Sequence, residues 1–416
     1  MKIFESFVIA IRSLASNKLR SALTMLGVII GVGSVITLMS VGRGAEKSIT
    51  STLEGMGTNL VYIMSQTPGL KGMASMGTAG YSFTLSDCEA IAERVPGVTG
   101  VAPIIENYVE VAAGDESTVA IVEATTPEYE QVLNYPIGYG QYITDRHVAA
   151  RDMVVVLGSK VAEDIFGEKD PIGEKVKING RQFNVIGVLE TKGGQMMGVS
   201  MDSIIIVPIT TYTARLFPGQ TIRGEDAIQQ VAIQIEDRKM ADIVTADISA
   251  LLMDLHRIDE EGREDFMIMT QEQMMDMIKQ VTGLLTLLLG AIASISLLVG
   301  SIGIMNIMLV SVTERTHEIG IRKAVGAKRR DILLQFLMEA AMLSLSGGAI
   351  GIIGGWLVSW GISVFSEAAG MTMNAVVTAD IVVLAISVSV FIGLISGIYP
   401  AMRAARLNPI DALHYE

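Results

Sequence analysis

Four long apolar runs limit what this chain can fold into. Each contains at least 20 residues with almost no charge, and a helix needs about 20 apolar residues to cross the hydrocarbon core of a bilayer. The predicted transmembrane segments are residues 21–43, 281–310, 332–365 and 381–400. The sequence therefore predicts a membrane protein with four transmembrane helices.

The distribution of charge predicts how those helices are oriented. Basic residues outnumber acidic ones, 12 to 6, in three segments taken together: residues 1–20, 311–331 and 401–416. In residues 42–281 the balance is reversed, with 19 Lys and Arg against 35 Asp and Glu. Positive residues collect on the cytoplasmic side of a membrane. We therefore expect a bacterial inner-membrane protein with both termini in the cytoplasm. The formal charge of −13 also argues against nucleic acid as a partner.

The rest of the chain is assigned from these boundaries. Outside the membrane-crossing runs we predict a cytoplasmic amphipathic segment at 1–20, an extracytoplasmic domain at 44–280, a cytoplasmic coupling loop and helix at 311–331, a short outer loop at 366–380 and a cytoplasmic tail at 401–416.

The outer domain is predicted to be α+β. Strand, helix and strand patterns occur near both of its ends, so residues 44–135 and 225–270 are expected to form a βαβ-type layer. Between them, short β-branched runs with turns such as Asn179-Gly180 indicate an inserted β-rich subdomain at 136–224. The fold class is thus membrane α-helical plus an α+β extracytoplasmic domain.

Glycines recur at small-xxx-small spacing in the predicted transmembrane segments, which allows helix backbones to approach closely in lipid. They are Gly27, Gly31, Gly347, Gly351, Gly355, Gly393 and Gly397. A single pair could reflect the general abundance of glycine in membrane helices. Together they favour a tightly packed bundle or a dimer.

Motifs that would support catalysis do not occur in the sequence. It contains no Gly-x-x-x-x-Gly-Lys-Ser/Thr phosphate loop, no His-Glu-x-x-His zinc motif and no Gly-x-Ser-x-Gly elbow. The four histidines fall on both predicted sides of the membrane, so they do not form one cluster. We expect no catalytic residue, no metal and no cofactor in this chain.

The most informative segment is residues 312–341, between the second and third transmembrane segments. Glu318 and Arg322 stand four residues apart, a spacing that pairs opposite charges on a helix, and Gly326 is a typical helix end. A short charged helix in this place could dock on a cytoplasmic partner, although charge alone also fits a basic loop with no partner. Glu339, the ionisable residue of the third segment, is expected at the interface or paired with this loop.

Several parts of the sequence resemble MacB/FtsX-type ABC transporter permeases. Residues 314–327, Glu-Arg-Thr-x-Glu-Ile-Gly-Ile-Arg-Lys-Ala-x-Gly-Ala, are similar to the loop between the second and third membrane helices of that family. Residues 10–32, 166–174 and 397–416 resemble other parts of the family pattern. The resemblance covers essentially the whole chain.

This resemblance implies a permease subunit that transmits ATPase motion mechanically to its outer domain. A second copy of the chain, a membrane-fusion-type adaptor and a separate ABC ATPase that binds ATP and Mg are the expected partners. The ATPase is expected to be separate because the fused MacB pattern begins with a nucleotide-binding domain that this sequence lacks. The residues implied in ATPase coupling are Glu314, Arg315, Glu318, Gly320, Arg322, Lys323 and Gly326.

Two functions are compatible with this architecture. The first is an ATP-driven exporter that moves drugs, peptides or lipoproteins. The alternative is an FtsX-like signal transducer that controls a cell-wall hydrolase or senses a peptide. The outer domains of FtsX-type proteins are generally smaller, so the length of the outer domain favours the exporter. The sequence leaves the cargo open.

Overall fold

The chain forms two compact units in the computed structural model, which describes residues 18–55, 57, 59–66, 81–196, 199–219, 221–258, 264–368 and 375–413. Met1–Lys47 and Lys279–Glu416 make up the first, called here the membrane unit, and Ser48–Ile278 the second, called the outer unit. Most of the predicted N-terminal segment at 1–20 lies outside the described residues.

The helices of the described residues are long in the membrane unit and short in the outer unit. In chain order they are α1 (Lys18–Gly55), α2 (Leu85–Arg94), α3 (Tyr129–Val132), α4 (Asp145–Ala150), α5 (Ser159–Phe166), α6 (Ile209–Thr211), α7 (Ala241–His256), α8 (Gln271–Glu314), α9 (Thr316–Ala324), α10 (Arg329–Ala368), α11 (Ala379–Arg406) and α12 (Pro409–Leu413). A π-helical turn at Tyr212–Leu216 and a 3₁₀ turn at Arg238–Met240 complete them. Four helices, α1, α8, α10 and α11, are long and apolar enough to cross a membrane.

These four helices extend beyond the apolar runs. Helix α1 continues to Gly55, and α8 begins at Gln271. Helix α11 likewise continues past Pro400, the expected end of the fourth apolar run, to Arg406. Proline removes one hydrogen-bond donor, but Ala401 and Ala404, just after it, are buried in the core of the membrane unit, which favours continuation of the helix.

The outer unit is built on one ten-stranded mixed sheet. Its strands are β1 (Leu60–Ser65), β3 (Val98–Ala113), β4 (Glu116–Thr125), β5 (Ile137–Gly140), β6 (Val154–Leu157), β7 (Lys175–Ile178), β8 (Arg181–Leu189), β11 (Ile204–Pro208), β14 (Gln230–Ile235) and β15 (Phe266–Thr270). Their order in the sheet is β15-β1-β14-β3-β4-β11-β6-β8-β5, and β7 pairs with both β3 and β8. Smaller pairings involve β2 (Phe83–Thr84), β9 (Gln195–Met196), β10 (Val199–Ser200), β12 (Thr221–Ile222) and β13 (Glu225–Ile228). The expected combination of membrane helices with an outer domain of helices and strands is confirmed.

The long strand β3 joins the two parts of the outer unit that the sequence suggested were separate. Its first half pairs with β14, and its second half pairs with β4 and β7. The boundary expected at residue 135 therefore does not coincide with a break in the sheet, because β4 already pairs with β11 of the inserted part. Polar Glu106 and Asn107 interrupt the apolar pattern of β3, but both stay in the ladder, opposite Glu123 and Val122.

The sheet has a buried core on each face, as the two-residue period of a strand requires. In β1, Val61 and Ile63 belong to the first core, which α2, α5 and α7 help to form. Leu60 and Tyr62 belong to the second core, which contains side chains from residues 129–143. The second core also contains a buried carboxyl group, that of Glu123.

A buried histidine connects distant parts of the outer unit. His256, at the end of α7, is 3% exposed, and its Nδ1 lies 2.9 Å from Asp265 Oδ1. Its Nε2 lies 3.5 Å from Asp87 Oδ2 in α2, which also accepts a hydrogen bond from Arg223 at 2.7 Å. Burial alone would lower the pKa of His256, but the contacts with Asp265 and Asp87 outweigh it and raise the pKa to about 9. The imidazolium is therefore the form that this site stabilises.

Glycine contacts bring the helices of the membrane unit together. All seven glycines predicted to pack helices lie where a Cβ would come within 3.2 Å of an atom of another helix. A Cβ on Gly27 would lie 2.7 Å from Gly300 Cα in α8, one on Gly355 would lie 2.8 Å from Gly33 O in α1, and one on Gly397 would lie 2.6 Å from Ala340 Cβ in α10. Close backbone packing thus joins α1 to α8, α1 to α10 and α10 to α11 within one chain.

Replacing Gly351 with leucine should destabilise the membrane unit by about 1–3 kcal/mol, because its Cβ would lie 2.9 Å from Ile29 O in α1. Gly354→Leu is the matched control, since no atom lies within 4 Å of a Cβ at that position in the same helix. The fluorescence of Trp356 and Trp360, both in α10, reports thermal unfolding of the detergent-solubilised protein. Equal unfolding midpoints for the two variants would contradict the packing role.

The outer unit should lose stability as the pH rises from about 6.5, the ordinary histidine pKa, through about 9. A raised folded-state pKa means that the contribution of the imidazolium is complete below the unfolded pKa and lost above the folded one. Its size is on the order of 3 kcal/mol. Hydrogen-exchange protection of α7, corrected for intrinsic rates, measures the loss. The pH-dependent loss of protection should be absent in His256→Gln. It should be present in His147→Gln, which alters a histidine outside the core.

Candidate functional site

The charged helix α9 lies between α8 and α10, the second and third membrane-crossing helices. The Gly326 N–H donates to Lys323 O and the Ala327 N–H to Arg322 O, which closes the last turn of α9. Gly326 has a φ of 109°, a conformation that glycine adopts without strain. The Asp331 carboxylate then accepts from the Lys328 N–H and caps the start of α10. Local capping thus creates a short helix set between two long ones.

Two basic side chains fix α9 to the ends of the membrane helices. Lys323 Nζ donates to the carbonyl oxygens of Ala405 at 2.6 Å and Leu407 at 2.7 Å, at the end of α11. Burial, followed by the positive charge of Arg329, lowers the pKa of Lys323. Arg315 Nη1 lies 3.3 Å from Oε2 of the buried Glu339 in α10. The expected pairing of Glu339 with the basic loop is therefore observed.

A second polar contact joins α9 to α10. Arg322 Nη1 donates to Oε1 of the buried Gln335 at 2.7 Å, and its Nη2 contacts Glu318 Oε1 at 2.5 Å. The Glu318–Arg322 pair has the spacing expected from the sequence. Because Arg322 also binds Gln335, this pair orients the guanidinium towards the membrane unit rather than leaving it in water.

Gly320 allows the C-terminal helix α12 to pack on α9. A Cβ on Gly320 would lie 2.9 Å from the Cβ of Ala412, which is buried. The neighbouring Ile319 is also buried, in the core of the membrane unit. Helices α9 and α12 therefore form one continuous surface at this end of the membrane unit.

That surface carries exposed apolar side chains outside the membrane-crossing helices. Val325 is 85% exposed and Ile410 is 68% exposed, and Ile321 and Leu413 are exposed as well. Lys328, Arg329 and Arg330 follow α9 and are also exposed. We call this set the docking surface; its members are Ile321, Val325, Ile410, Leu413, Lys328, Arg329 and Arg330.

The seven predicted coupling residues divide into two groups in the structure. Arg315, Gly320, Arg322 and Lys323 contact other helices of the membrane unit. Glu314, Glu318 and Gly326 are exposed. The apolar members of the docking surface were missed by motif comparison. Ile321 and Val325 are four residues apart and therefore share a face of α9 that does not include the buried Ile319, a signal that the sequence did contain.

Two protein-family models match this chain. The MacB-like periplasmic core domain matches residues 21–251, and the FtsX-like permease C-terminal domain matches residues 290–409. The first covers the outer unit as far as residue 251 together with most of α1, and the second covers α9, α10 and α11 with more than half of α8.

Curated relatives match along nearly the whole chain. The macrolide export ATP-binding/permease protein MacB of Bdellovibrio bacteriovorus is 37% identical over 406 residues, which cover 97% of this chain and 61% of that protein. The pyoverdine export ATP-binding/permease protein PvdT of Pseudomonas entomophila is 35% identical, covering 100% of this chain and 60% of its own length. The chain thus spans about three-fifths of these relatives.

Among solved structures, the periplasmic region of MacB from Actinobacillus actinomycetemcomitans matches with a TM-score of 0.45 and 21% identity, covering 55% of this chain and 95% of that structure. The extracellular domain of the transporter YknZ from Gram-positive bacteria matches with a TM-score of 0.40 and 22% identity, covering 51% of this chain and 100% of that domain.

The fold and the two family matches define a multi-pass membrane protein with a large periplasmic α/β domain. The chain belongs to the MacB-like family, in which a periplasmic core domain is combined with an FtsX-like permease domain. The resemblance found in the sequence is confirmed.

Replacing Gly320 with leucine should separate α12 from α9, because the added side chain would occupy the position of Ala412. Overpacking of this kind costs about 1–3 kcal/mol, so hydrogen exchange in residues 409–413 should rise by about tenfold or more. Ala324→Leu, on the exposed side of the same helix, should leave that exchange unchanged. An unaltered exchange rate in Gly320→Leu would exclude the packing role of this glycine.

Proposed function

We propose that this chain is the permease subunit of an ATP-driven, MacB-type export complex, and that a separate ABC ATPase binds its docking surface. One observation carries the proposal: apolar side chains of α9 and α12, Val325 and Ile410 above all, are exposed outside the helices that cross the membrane. Exposed apolar groups with a polar rim are typical of sites where another protein binds.

The composition of the docking surface specifies its partner. Ile321, Val325, Ile410 and Leu413 would enter an apolar groove, and the positive charges of residues 328–330 would face acidic residues at its edge. In this proposal the ATP and Mg are bound by that partner. The exposed Glu314, Glu318 and Gly326 border the contact, while Arg315, Gly320, Arg322 and Lys323 hold the surface in position.

Movement of the ATPase would pass into the membrane helices through these fixed contacts. Lys323 connects α9 to the end of α11, and Arg315 and Arg322 connect it to α10. Helices α1 and α8 continue without a break from the membrane unit into residues of the outer unit. A displacement of α9 is therefore expected to act mechanically on the periplasmic domain. The family match over residues 21–251 supports export rather than the FtsX-like alternative.

Several further elements belong to this proposal. The basic residues near the two termini and in the 311–331 loop support a cytoplasmic location for those segments, where an ATPase would be. A second copy of the chain would supply the other half of the membrane complex, and a membrane-fusion-type adaptor would connect the outer domain to an export path. The cargo class is drugs, peptides or lipoproteins that reach the outer domain from outside the membrane.

Val325→Asp should weaken ATPase binding by tenfold or more, because it places a charge in the centre of an apolar contact. A photoactivatable side chain at Val325 would first identify the partner by crosslinking in native membranes. The ATPase activity that copurifies with the wild type and with Val325→Asp is then compared.

The matched control is Val119→Asp, which alters a valine that is 65% exposed in the outer unit. It should retain the partner. If Val325→Asp retains the same copurifying ATPase activity as the wild type, or if the crosslinked polypeptide has no ATP-binding motif, the proposed function is wrong.

A further inference from the structure

The second core of the outer unit contains a carboxyl group in an unusual position. Glu123 lies in the middle of β4, opposite Glu106 of β3 and beside Ile206 of the parallel strand β11. Its side chain is directed into the second core and is 7% exposed. In this position a carboxylate gives up most of its hydration, which is costly unless a partner replaces the water.

No such partner is present among the described residues. Glu123 Oε2 is buried without a hydrogen bond, and so are the hydroxyl groups of Tyr62 and Tyr142, two residues of the same core. Both tyrosines are within electrostatic reach of Glu123. A neutral carboxyl group can donate a hydrogen bond as well as accept one, and it leaves no uncompensated charge in this core.

One cation approaches this core. Lys192 Nζ donates to Leu133 O at 2.8 Å and lies 3.6 Å from the centre of the Tyr135 ring. It forms no ion pair with Glu123 among the described residues. The Lys192 and Gly193 N–H groups both donate to the Asp202 carboxylate, which holds the backbone next to this side chain.

The other charged and titratable groups around Glu123 come from every element that packs near it. They are Glu106 of β3, Glu130 of α3, Lys192 after β8, Asp202 before β11, and the phenols of Tyr62, Tyr135 and Tyr142. Burial is the main reason why the pKa of Glu123 is raised well above its ordinary value; the negative charge of Glu106 adds to this, and Lys192 partly opposes it. Burial also lowers the pKa of Lys192 to about 8.

We propose that Glu123 is a proton-binding site of the outer domain. With the proton bound, Lys192 stays on Leu133 and Tyr135 and fixes residues 126–143, called here the cover segment, over the second core. When the proton leaves to solvent, the buried carboxylate attracts the Lys192 ammonium. Lys192 then leaves Leu133 and the Tyr135 ring, and the cover segment loosens. The outer domain is thereby sensitive to the pH of its compartment.

The sign of the effect follows from linkage. A carboxyl group that is neutral in the folded core and ionised in the open state binds more protons when folded, so opening becomes easier as the pH rises. Between pH 5 and 7.5, protection of the cover segment from hydrogen exchange, corrected for intrinsic rates, should fall by up to about tenfold per pH unit. In Glu123→Gln, which imitates the protonated form, this fall should disappear.

The experiment uses the full chain in detergent micelles. Glu106→Gln is the control. It removes a carboxylate that lies directly opposite Glu123 in the ladder but, unlike Glu123, is exposed. This variant should keep the pH-dependent protection, but without the negative charge of Glu106 the pKa of Glu123 should be lower and the fall should end at a lower pH. Infrared difference spectra at neutral pH should show a protonated carboxyl band in the wild type and in Glu106→Gln that is absent from Glu123→Gln. A band that survives Glu123→Gln, or is missing from the wild type, overturns the proposal.

If Glu123→Gln does not fold, Lys192→Met gives an independent test. Removing the ammonium removes the link between Glu123 and the cover segment, so protection of the cover segment should already be reduced at pH 5 and should fall less with pH than in the wild type. A Lys192→Met protein whose cover segment keeps the full wild-type fall in protection contradicts the proposal.

Discussion

The membrane unit depends on glycine residues at which the backbones of two helices come into direct contact. Lipid chains are as apolar as leucine, so helices in a membrane gain little from hydrophobic burial against one another and need close packing instead. Gly27 of α1 and Gly300 of α8 supply such a contact, and Gly351 and Gly355 supply another between α10 and α1. The positions of the helix ends, and with them the position of α9, follow from these contacts.

At the ends of the helices the packing changes from small residues to polar ones. Lys323 binds two terminal carbonyl groups of α11, Arg315 pairs with Glu339, and Arg322 binds Gln335. Breaking these contacts would cost free energy, because an unpaired charged or polar group would remain buried away from water. The motif that resembles a coupling loop therefore has two tasks: one set of residues holds the helix, and another faces outward.

Much of this could be predicted from the sequence, and the misses have physical causes. Charge-free runs identified the four membrane helices, and glycine spacing identified their contacts, because both signals are local. The continuation of α11 past Pro400 could not be predicted, since it depends on the burial of Ala401 and Ala404. The continuity of β3 through Glu106 and Asn107 depends on partner strands distant in sequence. The contacts of His256 with Asp87 and Asp265 likewise join residues that no spacing rule connects.

The exposure of Val325 and Ile410 has a consequence for the life of the protein in the cell. Apolar side chains that are exposed to water are the kind of surface that chaperones and proteases recognise on unassembled proteins. Copies without a partner on α9 and α12 would be removed, whereas assembled copies would have that surface covered. The same few side chains would then set how much of the subunit accumulates, independently of how much is synthesised.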